Sequence, residues 1–318
     1  MKEKILVTGA LGQIGTELVM LLRKLYGAER VVATDLERKD LPQVTEGGPF
    51  EILDVTDKQA MGELIAREKI GTVYHLAAIL SAVGEHRPQL AWAVNMGGLY
   101  NALELAREQN FALFTPSSIA CFGPSTPADQ TPQETIQRPN TIYGVTKVAG
   151  ELLCDYYHER FNVDTRGVRL PGLISHEALP GGGTTDYAVH IYYDAIKKNS
   201  YSSYIAAGTY MDMMYMDDAL KAFVELMEAD PAKLIHRNAF NIAAMSVDPE
   251  MIAESIRKFR PDFVLEYDVD PERQAIAESW PNSLDDSAAR AEWGWSPDYD
   301  LDRMTETMLR ELEKKLAK

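Results

Sequence analysis

Residues 8–15 read Thr-Gly-Ala-Leu-Gly-Gln-Ile-Gly, and this turn constrains the chain more than any other segment. Before it, the apolar run Lys-Ile-Leu-Val at 4–7 has the character of a short buried parallel strand. After it, Ile14, Leu18, Leu21, Leu22 and Leu25 recur at helical spacing and predict a helix over 13–25. Glycines at a strand-to-helix turn let the backbone come close to a pyrophosphate. The helix that follows aims its unpaired N–H groups and its positive dipole end at the same group. A second apolar run at 31–34 ends in Asp35, about twenty residues past the turn, where a carboxylate accepts the hydroxyls of an adenosine ribose. The reading is a dinucleotide site, with Gly9, Gly12, Gln13, Ile14 and Gly15 at the phosphates and Asp35 and Leu36 at the ribose. Asp35 repels a ribose 2′-phosphate, which favours NAD over NADP, while nearby Arg38 works against that preference.

Tyr143 and Lys147 are four apart at the start of the amphipathic segment 141–161, so both side chains lie on one helix face. A phenol is a poor base at neutral pH. A neighbouring ammonium and a cationic nicotinamide ring both favour the phenolate, the form that draws a proton from an alcohol. Alone, Tyr-x-x-x-Lys is common on solvated helices; beside the glycine turn it reads as a proton-transfer pair and points to a redox enzyme.

With both motifs in hand, the sequence resembles the extended short-chain dehydrogenase/reductase family over almost its whole length. Further segments carry the resemblance, and their roles are those it implies. Residues 53–57 (Leu-Asp-Val-Thr-Asp) match the family's adenine-edge loop, with Asp54 and Val55 at the binding positions. Residues 75–78 (His-Leu-Ala-Ala) match the end of the fourth strand, where Leu76, Ala77 and Ala78 lie under the cofactor. Asn95 matches the asparagine that supports the site, and Leu170 and Ile174 belong to the cofactor shell. Residues 116–123 (Pro-Ser-Ser-Ile-Ala-Cys-Phe-Gly) match the end of the fifth strand, which supplies a catalytic hydroxyl. Spacing to Gly123 selects Ser118, with Ser117 as the competing assignment.

Family membership does not name a substrate. Sugar-nucleotide enzymes grip a diphosphate with arginines, yet no arginine occurs from Leu170 to His236. Their usual Arg-Asp-Phe is replaced at 210–218 by Tyr-Met-Asp-Met-Met-Tyr-Met-Asp-Asp, and the formal charge of −16 is a poor field for a dianion. Residues 170–175, the methionine run and above all 180–188 (Pro-Gly-Gly-Gly-Thr-Thr-Asp-Tyr-Ala) resemble the L-threonine 3-dehydrogenase branch of the family. That resemblance implies oxidation of a small zwitterion, L-threonine, to 2-amino-3-oxobutanoate with NAD. Ser118, Tyr143 and Lys147 form the catalytic set, and Ser81, Ser118, Tyr143, Gly183, Thr184, Thr185, Asp186 and Trp280 the substrate contacts. The local alternative for 181–188 is a surface loop whose helix is capped by Thr185 or Asp186, and Trp280 is equally readable as a core aromatic. Sugar-nucleotide chemistry and a non-catalytic NAD sensor are the competing functions.

Alternating strand and helix patterns to about residue 169 predict an α/β fold, a Rossmann-type doubly wound parallel sheet with a smaller C-terminal α/β substrate cap. The expected division is 1–175 with 216–245 returning to it, against a cap of 176–215 and 246–318. Expected strands include 71–75, 111–115 and 163–169, with long helices over 89–109, 141–161 and 302–317. The family's dimer uses the pair 89–109 and 141–161, which predicts a homodimer; Leu90, Trp92, Leu99, Tyr100, Leu103, Leu152, Leu153, Tyr156 and Tyr157 supply more apolar surface than one core face needs. Two distant cysteines, Cys121 and Cys154, and no Cys-x-x-Cys or His-Glu-x-x-His spacing give no metal centre. His75 reads as packed. The absence of an apolar span or cationic leader and the low cysteine use suggest a cytoplasmic protein, and the acidic balance argues against nucleic acid and membrane partners.

Overall fold

The computed structural model describes residues 4–177, 181 and 183–317. Its first strand, Lys4–Thr8, is flanked on both sides by others, which is why Ile5, Leu6 and Val7 form an unbroken apolar run with no exposure. The parallel sheet runs in the order Phe50–Ile52, Val31–Asp35, Lys4–Thr8, Ile70–His75, Ala112–Phe114, Thr165–Arg166. The chain winds outward one way from the first strand and then returns to wind the other way. The order therefore reverses between Lys4–Thr8 and Ile70–His75, the point at whose carboxyl ends sheets of this kind hold their ligands. This is the doubly wound sheet that the sequence predicts.

The chain divides into two units. The first is Met1–Ser118, Thr141–Arg169 and Ala222–Phe240; the second is Ile119–Asn140, Leu170–Lys221 and Asn241–Lys318. The expected division differs from this at 119–140, a stretch without periodicity, and at 170–175, 216–221 and 241–245, all of which belong to the second unit. In the first unit, Leu6, Val32, Val73 and Leu113 of the sheet pack with Leu64, Leu103, Cys154 and Tyr157 of three covering helices, Lys58–Glu68, Gly98–Gln109 and Ile142–Phe161. The second unit holds a mixed sheet, Met245–Val247, Met211–Tyr215 and Gly172–Ile174, and a parallel pair, Ser200–Ser203 with Val264–Tyr267. The helix Leu301–Leu316 packs on Tyr187–Lys198, where Tyr192 and Thr305 share a buried hydrogen bond of 2.8 Å.

Three expectations are corrected. The strand expected over 163–169 is two pieces, Thr165–Arg166 and Val168–Leu170. Between them Gly167 lies so close to its neighbours that a Cβ would sit 2.3 Å from the Thr115 carbonyl, and its own carbonyl accepts from Phe240 N–H at 3.0 Å. The strand leaves the large sheet there and joins a small one with Phe240–Asn241 and Ser117–Ser118. The helix expected over 89–109 is Pro88–Trp92, a π-helical turn Ala93–Gly97, and Gly98–Gln109. Finally, Leu99, Leu103 and Tyr157 lie in the core rather than on a spare face, in one cluster with Leu6, Val73 and Leu113 of the sheet.

Candidate active site

The site grows from the glycine turn. Gly9 has φ +68°, and a Cβ on it would lie 2.8 Å from Ala77 N. On Gly15 a Cβ would lie 2.2 Å from the Gly9 carbonyl, so helix and turn touch backbone to backbone. Gly12 is different: the only atom near its Cβ position is the Gly9 carbonyl at 3.3 Å. Protein packing presses less there than at Gly9 or Gly15, although a Cβ would still crowd that carbonyl, and a bare backbone at that point suits a ligand. Gly12 caps the helix Gln13–Tyr26 without a side chain, and the first intrahelical bond is Thr16 N–H to Gly12 O at 3.0 Å. The N–H groups of Gln13, Ile14 and Gly15 precede it and face the turn as donors. The buried Gln13 Nε2 likewise has no partner among the described residues. These residues fit a dinucleotide's pyrophosphate.

Asp35, at its strand's end, is oriented by backbone donors, Leu11 N–H to Oδ2 and Leu36 N–H to Oδ1, both at 2.8 Å. Arg38 is turned elsewhere, donating to Thr45 O at 3.3 Å with its guanidinium 5.6 Å from the Phe50 ring centre. Asp54 closes a small turn, its Oδ1 accepting from the Thr56 N–H and hydroxyl at 2.9 and 2.7 Å. Val55 is buried beneath Gly98, whose Cβ would meet it at 2.8 Å. Leu76, Ala77 and Ala78 continue from His75 beside Thr8. The Thr8 hydroxyl and His75 Nδ1 are 3.0 Å apart, while Nε2, fully buried, has no partner among the described residues. Burial first, and the Lys147 charge second, push this imidazole down to about 4, so His75 is neutral.

Asn95 sits in the π-helical turn, a bulge that moves its side chain off the regular helix face. Its Oδ1 accepts from Ile79 N–H at 2.7 Å, and its Nδ2 donates to Ile79 O at 3.0 Å and Thr146 Oγ1 at 3.2 Å. Thr146 in turn donates to Tyr143 O at 2.7 Å. The helix Ile142–Phe161 that bears Tyr143 is capped by Thr141, whose Oγ1 accepts from Gly144 N–H at 3.0 Å, and its Ile142 N–H donates to Glu85 at 2.8 Å. One turn on, Lys147 Nζ lies 5.3 Å from the Tyr143 ring centre and donates to Pro116 O at 2.7 Å. The two serines differ in their surroundings. Ser117 is buried and donates to Glu151, whereas Ser118 is partly exposed at the strand's end. Ser81 opens the helix Ser81–His86 and is buried.

A cavity of about 40 Å³ lies behind Lys147, walled by His75, Asn95, Ser117, Glu151 and Asn238 among others. Sequence reasoning missed Thr146, Glu151 and Asn238. The only signal in the chain itself was an acid at Glu151, one turn past Lys147 on the inward side of its helix.

In the second unit, Gly183 N–H donates to Asp186 Oδ2 at 2.6 Å across the short 3-10 turn Thr184–Asp186, which leads into Tyr187–Lys198. Thr184 and Asp186 are buried, and Thr185 Cγ2 lies 2.9 Å from where a Cβ on Gly172 would stand. Leu170 and Ile174 are buried on short strands, and Trp280 is 9% exposed just past the helix Pro271–Ala277. Pro180 and Gly182 of the expected loop lie outside the described residues. Among the described residues no group of His, Cys, Asp and Glu could hold a metal ion, and no helix is long and apolar enough to cross a membrane.

A glycine cradle at the switch point of a doubly wound sheet, with Tyr143 and Lys147 paired on one helix face, fits a nicotinamide-dependent oxidoreductase of the extended short-chain type. The chain belongs to the NAD dependent epimerase/dehydratase family, whose model matches residues 5–243. It is 61% identical to an uncharacterized epimerase/dehydratase of Staphylococcus saprophyticus, over 98% of each chain. Among solved structures it is similar to L-threonine dehydrogenase from Clostridium difficile (61% identity, TM-score 0.97, 98% of each chain). It is also similar to the holo form of the GalE-like L-threonine dehydrogenase from Cupriavidus necator (48% identity, TM-score 0.94, covering 97% of this chain and 99% of that one).

Proposed function

We propose that the protein oxidises the 3-hydroxyl of L-threonine with NAD, giving 2-amino-3-oxobutanoate, NADH and a proton. The observation that carries the reaction type is the placement of Tyr143 one turn from Lys147, on a helix tied through Thr146 and Asn95 to the segment after the fourth strand. Bound NAD supplies the acceptor for the hydride that leaves C3. Tyr143, as phenolate, takes the hydroxyl proton; Ser118 orients the oxygen as it becomes a carbonyl; Lys147 holds its charge beside the phenol and the nicotinamide ribose. The proton then passes from Tyr143 to solvent. The substrate rests on the likeness to L-threonine dehydrogenases and on the arginine-free stretch from Leu170 to His236, with Gly183, Thr184, Thr185 and Asp186 proposed as recognition elements. The choice of NAD over NADP is supported by the anchored carboxylate of Asp35 and by Arg38 being engaged at Thr45 and Phe50.

The test follows NADH absorbance with purified protein, NAD and L-threonine, against NADP, L-serine and L-allo-threonine. Turnover is expected with L-threonine and NAD, falling by about a thousandfold in Tyr143→Phe while NAD still binds. NAD binding without NADH production from L-threonine would overturn the assignment.

A further inference from the structure

Residues Pro116, Ser117 and Ser118 leave the fifth strand in succession, and the helix Ile142–Phe161 grips two of them from consecutive turns. Lys147 Nζ donates to Pro116 O at 2.7 Å. Four residues further along the same helix face, Glu151 accepts a hydrogen bond from the Ser117 hydroxyl. The next residue, Ser118, is the one left partly exposed. Glu151 is itself locked: Arg169 Nη2 reaches Oε2 at 2.9 Å and Nε reaches Oε1 at 3.1 Å, and Asn238 Nδ2 donates to the Glu151 carbonyl at 3.0 Å. Ser117, Glu151, Arg169 and Asn238 are all buried.

A buried ion pair is weak evidence for stability, because desolvating both charges offsets most of their attraction. What this one supplies is geometry. The bidentate fork of Arg169 fixes the carboxylate in one orientation, and the carboxylate fixes Ser117. Arg169 also cancels the charge of Glu151, so this rigid anchor adds no net charge beneath Lys147.

We propose that Glu151, held by Arg169, is a positioning residue. Through Ser117 it sets the register at which Ser118 is presented, and it keeps Pro116 where Lys147 can be anchored beside Tyr143. The inference rests on the reading of Ser118, Tyr143 and Lys147 as the reacting set and is independent of the substrate.

Two variants keep all charges and break the register: Ser117→Ala removes the hydroxyl, and Glu151→Asp shortens the reach. Each is measured for NAD affinity by fluorescence, for thermal unfolding, and for the phenolate difference absorbance of the NAD complex at neutral pH relative to Tyr143→Phe. That last signal needs no substrate. Both variants are expected to bind NAD within about twofold of the parent and to lose about tenfold in phenolate signal, as the ammonium drifts from the ring. Turnover is expected to fall with KM for NAD unchanged. Phenolate signal and turnover equal to the parent's would overturn the proposal. So would a loss of phenolate signal that merely tracks a loss of NAD affinity and melting temperature. A parent protein that shows the phenolate but does not oxidise L-threonine would sink the substrate assignment and leave this test standing.

Discussion

Two glycines of one motif answer to different masters. A Cβ at Gly15 would lie 2.2 Å from the Gly9 carbonyl, so Gly15→Ala pushes helix from turn and should cost about 1–3 kcal/mol, read as a lower melting temperature in the absence of cofactor. At Gly12 the one crowding atom is 3.3 Å away and need give only slightly, so Gly12→Ala should lower the melting temperature far less than Gly15→Ala does while its KM for NAD rises tenfold or more, on the order of 1.4 kcal/mol. Equal melting temperatures for the two variants would contradict this separation. The motif was legible in sequence because strand, glycines and helix are adjacent in the chain. The partners of Asp35 were not, since the Leu11 N–H that orients its carboxylate comes from the turn twenty-four residues earlier.

At the scale of elements, legibility followed periodicity. The strands Lys4–Thr8 and Val31–Asp35 and the helix Ile142–Phe161 carry regular apolar patterns and stand where the sequence puts them. The π-helical turn Ala93–Gly97 has no such mark: one extra residue per turn changes the geometry of a helix without changing its composition. The break at Gly167 was equally silent, because its cause is the carbonyl of Thr115, a residue far away in the chain. The helix pair expected to form a dimer retains an exposed apolar face made by Trp92, Tyr100, Leu152 and Tyr156, each about half exposed or more. We propose that these residues meet a second copy of this chain. Sedimentation is expected to give a dimer at micromolar concentration and a monomer for Leu152→Glu with Tyr156→Glu. A parent that sediments as a monomer would refute the interface.

At the scale of the whole molecule, the two units carry buried titrating groups of opposite sense. In the first, His75 is pushed from 6.5 down to about 4, so the unfolded chain binds the proton that the native one refuses, and stability is lost as pH falls through that window. In the second, burial raises Asp212 from 3.8 to about 7 despite the Leu284 N–H it accepts at 2.8 Å, with nearby Asp286 adding to the rise. Its native form keeps the proton, so its contribution is full below about 3.8 and is lost as pH rises towards 7. Hydrogen exchange, corrected for intrinsic rates, should show protection rising with pH between about 4 and 6.5 in the first unit and falling over the same range in the second. Parallel trends in both would contradict the assignment. The division itself was only partly legible, because a stretch such as 119–140 is placed by partners distant in the chain rather than by its own pattern. Each unit is assembled from three separate lengths of chain, and the last length of the first unit ends at Phe240. During synthesis, therefore, a ribosome that has not yet passed Phe240 has released neither unit in full. The nascent protein leaves its first unit unfinished until the strand Phe240–Asn241 emerges, so truncation before that point is expected to cost both units together.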